Sequence, residues 1–530
     1  MLPIDPNNET AYSFVVFGAS GRLALSKIFP ALWQLYRDNR LPQGTKIFTF
    51  CRTHLEVGTY RIKCVPYMGL SKDRDQIKYN SFWSNVHCCQ GMYDSPQDYA
   101  ELTAAMVRQE TRHNMSLANR IFYLALPPIV FDHVTLNISR KCLSMTGWNR
   151  VIVEKPFARN ELTYKPYQTQ LCQTFKESQI YMIDHYLSKQ VIHNLFVLRF
   201  TNHIWSETWN NKHIAAVMIS VKCEKPVQAR ADYFNQFGII RDIMTNDMMQ
   251  LLAMLTIEQP YSNYVEDMRD EKLKVLKQVL TLDISDVILG QYCNNGVETD
   301  PTKVGYTQHA YIPKESLTPT FAMVVLRIKS KRWNSVPFIL RVGKALNETK
   351  TEVRVQYKAM ECDRSENKLS IPNELVLRLS PREQLFMRMM LKRPGQELCL
   401  RETELNLMLR DRTVPDNYQS LLLDIFAGNQ MLFMRTDEQC EIWRIFSPVL
   451  AYIDVERPKP LLYDFGSSGP MAAYEMAARN GFTFYQSDEW HARQGMANTT
   501  QNASKEVIKA ESNRAQQATP SWMTPSAMGS

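Results

Sequence analysis

The chain has 530 residues, 45% of them hydrophobic and 22% charged, with a formal net charge of +8 at neutral pH. That is the composition of a soluble globular protein, and the length asks for two folded domains rather than one core. No apolar run approaches the ~20 residues that cross a bilayer, and the positive charge is spread, without the basic runs interleaved with aromatics that mark nucleic-acid binding.

The chain opens "MLPIDPNNET", with neither the basic start nor the apolar stretch of a signal peptide, so the expectation is a cytoplasmic protein. The 11 cysteines include no CxxC pair, and Cys88–Cys89 is not a metal-ligand spacing, so no metal site is expected and the thiols are read as reduced. After an N-terminal arm over residues 1–11, Ser13–Phe17 reads as a buried strand that runs into Gly18–Ala19–Ser20–Gly21. A helix follows, with apolar positions at Leu23, Ile28, Leu32 and Leu35. Lys46–Cys51, Arg120–Pro128 and Arg150–Pro156 continue the strands and close the series. Strands alternating with helical segments predict an α/β Rossmann-like domain with a parallel sheet over residues 12–185. From about Ala215 the runs "AAVMISVKC", "TFAMVVLRIKS", "FILRVGK", "TEVRVQY" and "NELVLRLS" predict a larger β+α domain with a mostly antiparallel sheet, over residues 186–496. Residues 497–530 are rich in Ser, Thr, Asn, Gln and Ala and are expected to form a disordered tail.

Four stretches carry candidate chemistry. In "VVFGASGRLALSK" the glycines allow backbone to approach a pyrophosphate at the start of a helix. The next strand ends "FCRT", placing Arg52 where a carboxylate would select NAD and an arginine suits the 2′-phosphate of NADP. In "IDHYLSKQVIHNL", helical spacing puts His185 and Lys189 on one face as a phosphate clamp. In "GIIRDIMTNDMMQLLAML", helical spacing puts Asp247 on a face with Ile243, Met244, Leu251 and Met254. Such a carboxylate needs a partner or a proton; the other reading makes Thr245–Asn246–Asp247 the cap of a helix starting at Met248.

With "VIVEKPF" and "PFILRVGKALNE", these segments resemble the signatures of glucose-6-phosphate dehydrogenases, in order, from about Tyr12 to Trp490. The resemblance implies NADP-dependent oxidation of glucose 6-phosphate at C1 to the lactone, the first step of the oxidative pentose phosphate pathway, by a homodimer or tetramer. It assigns Gly18, Ala19, Ser20, Gly21, Leu23 and Arg52 to NADP, and Lys155 to both coenzyme and sugar. Pro156 resembles a cis-proline of the family. His185, Tyr186 and Lys189 hold the sugar phosphate, and Asp242 and Lys344 contact sugar hydroxyls. Lys350, Arg354, Arg378, Arg388 and Trp490 resemble parts of a second, structural NADP site.

The chain departs from the family at its chemical centre. The family's catalytic histidine is Asp247 here, in "RDIMTND", facing the orienting carboxylate Asp184. Asp starts near pKa ~3.9 and His near ~6.5, so the replacement is the weaker base. Arg22, Met182, Ser188, Cys223, Ala231, Asp232, Thr349, Phe386, Ser468 and Phe484 also differ from the family pattern. The expectations are therefore a glucose-6-phosphate dehydrogenase of doubtful efficiency, or an impaired paralogue that binds NADP(H) or pairs with an active subunit as a hetero-oligomer. A third is an enzyme for another sugar phosphate.

Overall fold

The computed structural model describes residues 10–70, 75–111, 117–155, 157–227, 231–262, 264–294, 303–359, 372–395, 400–407 and 417–484. Most of the expected arm, Pro156 with its expected cis bond, Trp490 and the tail 497–530 lie outside the described residues.

Six strands, β1 (Thr10–Phe17), β2 (Thr45–Cys51), β3 (Val86–Gln90), β4 (Leu117–Leu124), β5 (Asn149–Val153) and β6 (Ile180–Met182), form the first sheet. Every pairing is parallel, and the order is β3-β2-β1-β4-β5-β6. Thr10 and Ala11, placed in the arm by the sequence pattern, already pair with β4. The central stretches of β1, β2, β4 and β5 are apolar because both faces are covered there. Phe14, Val16 and Ile47 pack on Leu32, Trp33 and Leu35 of the helix Phe29–Arg37, while Val15, Phe17, Phe48 and Phe50 join the larger core on the other side. The strand order reverses between β1 and β4, which opens a crevice at the carboxyl ends of these strands. At that point Gly18 has φ +72°, and a Cβ there would lie 2.3 Å from the carbonyl oxygen of Ala125. Only glycine lets the chain leave β1 so close to β4.

The second sheet has nine strands: β7 (Ile214–Lys222), β8 (Val287–Cys293), β9 (Phe321–Leu326), β10 (Phe338–Gly343), β11 (Lys350–Tyr357), β12 (Glu374–Ser380), β13 (Gln384–Lys392), β14 (Leu400–Asn406) and β15 (Leu461–Asp464). Their order is β14-β13-β12-β11-β7-β10-β9-β8-β15, antiparallel except where β10 joins β7 and β15 joins β8. The helix Ile240–Met248 packs on β10 and on the long helix Thr436–Glu456. A buried cluster ties these helices together: Lys272 Nζ donates to Gln250 Oε1 at 3.0 Å and Glu438 Oε2 at 3.1 Å. Late in the chain, the helix Asn417–Ala427 folds back over the first sheet, adding Leu421, Leu422, Ile425 and Phe426 to its core. Arg150 fastens it by donating to the carbonyls of Ile425 and Phe426. Every described cysteine is a free thiol. No described helix is long and apolar enough to cross a membrane.

The two kinds of glycine should respond oppositely to a methyl group. Gly18→Ala is expected to lower the unfolding free energy by about 1–3 kcal/mol. Gly58→Ala, within the helix Val57–Cys64 and with no neighbouring atom inside 4 Å of the new Cβ, should raise it by about 0.4–1 kcal/mol. Urea titration of the two variants checks both signs.

Candidate active site

The carboxyl ends of β1, β5 and β6 converge on a cavity of about 280 Å³. Lys155 and Glu154 follow directly on β5, and Asp184 and His185 on β6. Leu23 comes from the helix after the glycine turn, Asp242 and Asp247 from the helix under β10, and Tyr418 from the helix that folds back. The structure thus brings Leu23, Lys155, His185, Asp242 and Asp247 to one cavity wall.

The segment Ile240–Met248 is wound as a π-helix and passes without a break into the α-helix Met249–Thr256. The capping reading of Thr245–Asn246–Asp247 therefore fails; the Thr245 hydroxyl instead donates to the carbonyl of Arg241 at 3.1 Å. Winding by i→i+5 stacks residues five apart, which is why Asp242 and Asp247 reach the same cavity although α-helical spacing separates them. Within the wide turns the Asn246 amide donates to the Arg241 carbonyl at 3.0 Å.

Asp247 is 8% exposed, and its partner is Lys155, whose ammonium donates to Oδ1. Asp184 lies behind this pair, 1% exposed. Its Oδ1 accepts from the amides of Tyr186 at 2.8 Å and Leu187 at 2.9 Å, while Oδ2 has no donor among the described residues. Burial and then the neighbouring Asp247 carboxylate push the Asp184 carboxyl up to about 7, against a smaller opposing pull from Lys155 and the Leu187 amide. Burial and the neighbouring carboxylate thus favour the protonated form of Asp184, whose proton is placed to be donated towards Asp247. Burial works against the Lys155 ammonium, but Asp247 and Asp184 outweigh it and raise its pKa.

His185 faces Glu154, with Nε2 at 3.5 Å from Oε2, and its ring lies 5.1 Å from that of Tyr418. Burial disfavours the imidazolium, yet the bond to Glu154 more than compensates and the pKa rises. Glu154 Oε1 also accepts from the Tyr123 hydroxyl at 2.5 Å. His185 Nδ1 is buried with no partner among the described residues.

The helical clamp expected from His185 and Lys189 is not present. Asp184 caps the amides that follow it and Lys189 N donates to Tyr186 O at 3.1 Å, so residues 184–189 form a turn ahead of the helix Gln190–Thr201. Lys189 points to Glu383 at 3.5 Å, and the Tyr186 hydroxyl lies 3.4 Å from Thr351 Oγ1. Lys344 donates its main-chain amide to Thr320 O, and its carbonyl accepts from Tyr463. Neither Ser188 nor Ala231 nor Asp232 has positive φ, so the loss of glycine there brings no backbone strain. Glu154, Tyr233, Asn246 and Tyr418 line the cavity but were not singled out from sequence. Glu154 was within reach, being next to Lys155 in "EKPF"; Tyr418 carries no local signal.

The glycine turn fits a dinucleotide. Gly21 N closes it onto Gly18 O at 2.9 Å, and a helix starts at Arg22 with Leu23 already in the cavity wall. Arg52 stands just past β2 beside a second hollow of about 480 Å³ edged by Gln90, Gly91 and Met92. The cluster on the second sheet fits one poorly. Lys350 lies between Glu348 at 3.0 Å and Glu352 at 3.4 Å, and Arg354 pairs with Glu374 at 2.9 Å. Arg378 meets Glu352 at 3.4 Å, Arg388 meets Glu404 at 3.3 Å, and the space left beside Lys350 and Arg354 is about 30 Å³.

Residues 15–194 match the family profile "Glucose-6-phosphate dehydrogenase, NAD binding domain", and residues 196–491 match "Glucose-6-phosphate dehydrogenase, C-terminal domain". The chain is 46% identical to glucose-6-phosphate 1-dehydrogenase of Ceratitis capitata, over 91% of this chain and 92% of that one. With the enzyme of Drosophila melanogaster the identity is 44%, over 92% and 93%. Its fold is similar to a glucose-6-phosphate dehydrogenase solved in complex with glucose 6-phosphate, with a TM-score of 0.84 and 35% identity over 90% of this chain and 99% of that one.

Asp184 gives the site a pH signature. Its carboxyl ionises near 3.8 in the unfolded chain and near 7 in the folded one. The folded state therefore binds more protons across that window, and the stability contributed is present at low pH and lost as pH rises through about 7. Asp184→Asn keeps the Oδ1 acceptor and donates permanently to Asp247. Denaturant titrations should give a wild-type stability that falls relative to this variant between the two values; parallel curves would show that Asp184 is ionised throughout.

Proposed function

The chain belongs to the glucose-6-phosphate dehydrogenase family, and from that premise we propose that it binds NADP and glucose 6-phosphate and oxidises the sugar at C1 with a weakened proton acceptor. The observation that carries the reading is the Lys155–Asp247 pair on the cavity wall at the mouth of the Rossmann crevice. Gly18, Ala19, Ser20, Gly21 and Leu23 would hold the coenzyme diphosphate, and Arg52 its 2′-phosphate. Bound NADP⁺ supplies the hydride acceptor. Asp247 takes the proton from the C1 hydroxyl as the C1 hydride departs, and the sugar ring becomes the lactone. Asp242 and Lys344 meet sugar hydroxyls. His185 offers its unpartnered Nδ1 towards the sugar phosphate, which competes with Glu383 for Lys189 beside Tyr186.

Asp247 is a weaker proton acceptor than a histidine by residue type, and its contact with Lys155 works in the same direction. A carboxylate held by an ammonium has much of its charge already neutralised, and Lys155 is held there by the same contact. Loss of general-base catalysis is worth about 10²–10⁴-fold in rate, so slow turnover is expected. The same pairing favours a second reading, an impaired paralogue that binds NADP(H) and assembles with an active subunit. In either reading the protein is a cytoplasmic homodimer, tetramer or hetero-oligomer. The face of β13 and β14, where Leu391 and Leu405 are exposed, supports assembly there. Analytical ultracentrifugation returning a monomer would contradict it. A structural NADP on Lys350, Arg354, Arg378 and Arg388 is no part of the proposal, because each is committed to a carboxylate.

Nicotinamide reduction with glucose 6-phosphate and NADP⁺ separates the readings. Wild type should turn over at least tenfold more slowly than Asp247→His. A wild-type rate equal to or above that of the variant would contradict the account of Asp247. Silence in both, with NADP⁺ still bound, would favour the impaired paralogue.

A further inference from the structure

The helix that carries Asp242 and Asp247 has a second cavity on its other side. It has a volume of about 360 Å³, larger than the candidate active cavity. Three guanidiniums line it, those of Arg159, Arg241 and Arg457, against two carboxylates, Asp454 and Glu315. Arg241 is already bound: Nη2 donates to Asp454 at 2.6 Å, and Nε to the carbonyl of Arg159 at 2.8 Å. Arg159 and Arg457 are exposed, and among the described residues neither guanidinium has a hydrogen bond or ion pair. Two uncommitted cations thus face a hollow against one remaining anion, Glu315. Phe237, Leu317 and Pro319 give the lining apolar surface, alongside the polar side chains of Asn235, Gln236, Ser316 and Thr318.

Two stacked rings stand between the two cavities. Phe237 stacks on Tyr233, with ring centroids 4.5 Å apart and planes at 22°, and Tyr233 lines the candidate active cavity. Arg241 and Asp242 are consecutive residues facing opposite cavities. The Asn246 amide, on the active side, is bonded to the Arg241 carbonyl at 3.0 Å. Gly238, with φ +71°, joins the helix to the preceding one and lines the second cavity. A ligand that draws Arg241 from Asp454, or turns the Phe237 ring, therefore moves groups of the other cavity directly.

We propose that this second cavity binds a small organic anion, its charged group between Arg159 and Arg457 and its apolar body on Phe237, Leu317 and Pro319. Occupancy is transmitted to the candidate active cavity through the helix Ile240–Met248. Planar guanidiniums on two sides suit a phosphate or carboxylate, each accepting paired hydrogen bonds. That apolar surface distinguishes the ligand from a bare inorganic ion. Because linkage is reciprocal, whatever binds the active cavity alters the affinity of the second one by the same factor.

The test uses the full chain and phenyl phosphate as the probe, followed by isothermal titration calorimetry. Wild type should bind it saturably, and the exposed pair Arg159→Gln/Arg457→Gln should weaken that binding at least tenfold with the thermal midpoint unchanged. Inorganic phosphate should bind at least tenfold more weakly than phenyl phosphate. Hydrogen exchange over residues 240–248 should slow on addition of the probe in wild type and stay unchanged in the double variant. No saturable binding, or binding equally tight in the double variant, would overturn the site. Equal affinity for inorganic phosphate would overturn the apolar subsite, and unaltered exchange in wild type would overturn the coupling. None of these outcomes depends on whether glucose 6-phosphate is the substrate.

Discussion

Two ionisable groups on the cavity wall, the ammonium of Lys155 and the carboxylate of Asp247, are backed by a third, the buried carboxyl of Asp184. Asp184 and Asp247 are buried and Lys155 largely so, which makes an unbalanced charge among them costly. One cation against two anions leaves an excess negative charge, and a proton retained on Asp184 removes it. The rest of the local structure is arranged around that balance. The turn after β6 spends Tyr186 and Leu187 amides on Asp184 Oδ1, leaving Oδ2 for Asp247. The π-wound helix aims Asp247 inward, and β5 ends where Lys155 can meet it.

The same balance sets the chemistry. A histidine at this place would accept a proton from substrate and be steadied as imidazolium by Asp184. Asp247 instead draws Lys155 onto itself and leans on Asp184 for a proton, so two groups that would otherwise address the ligand address each other. His185 and Glu154 form a further pair beside them, joined to Tyr123 and roofed by Tyr418. Within this group, His185 Nδ1 and Asp184 Oδ2 are the buried polar atoms left without a partner among the described residues. The helix Ile240–Met248 lines this cavity with Asp242 and Asp247 and the second cavity with Arg241.

Much of this was legible in the chain. The strand and glycine turn from Ser13 to Gly21 were read from apolar runs and punctuation, and the family segments located Lys155, His185, Asp242 and Asp247 before any coordinate. What failed did so for physical reasons. β3 is a half-exposed edge strand containing "HCC", and β6 is three residues long, so neither has a period to detect. Helical spacing placed Asp247 correctly on a buried face with Met244, Leu251 and Met254; it was the capping alternative that failed, because the wider winding runs unbroken through Thr245–Asn246–Asp247. The clamp from His185 to Lys189 assumed a helix where Asp184 side-chain bonds make a turn. Tyr418 and the Lys155–Asp247 contact depend on segments far apart in sequence brought together by folding, and no local pattern encodes them.

The most direct test of the proton on Asp184 is infrared difference spectroscopy of the protonated-carboxyl stretch, wild type against Asp184→Asn, followed as a function of pH. A band that the substitution removes, and that in wild type titrates near pH 7, is the predicted result. A band that disappears in the ordinary carboxyl range, near pH ~4, would contradict it, because Asp184 would then be ionised beside Asp247 and the balance around Lys155 would have to be struck in another way.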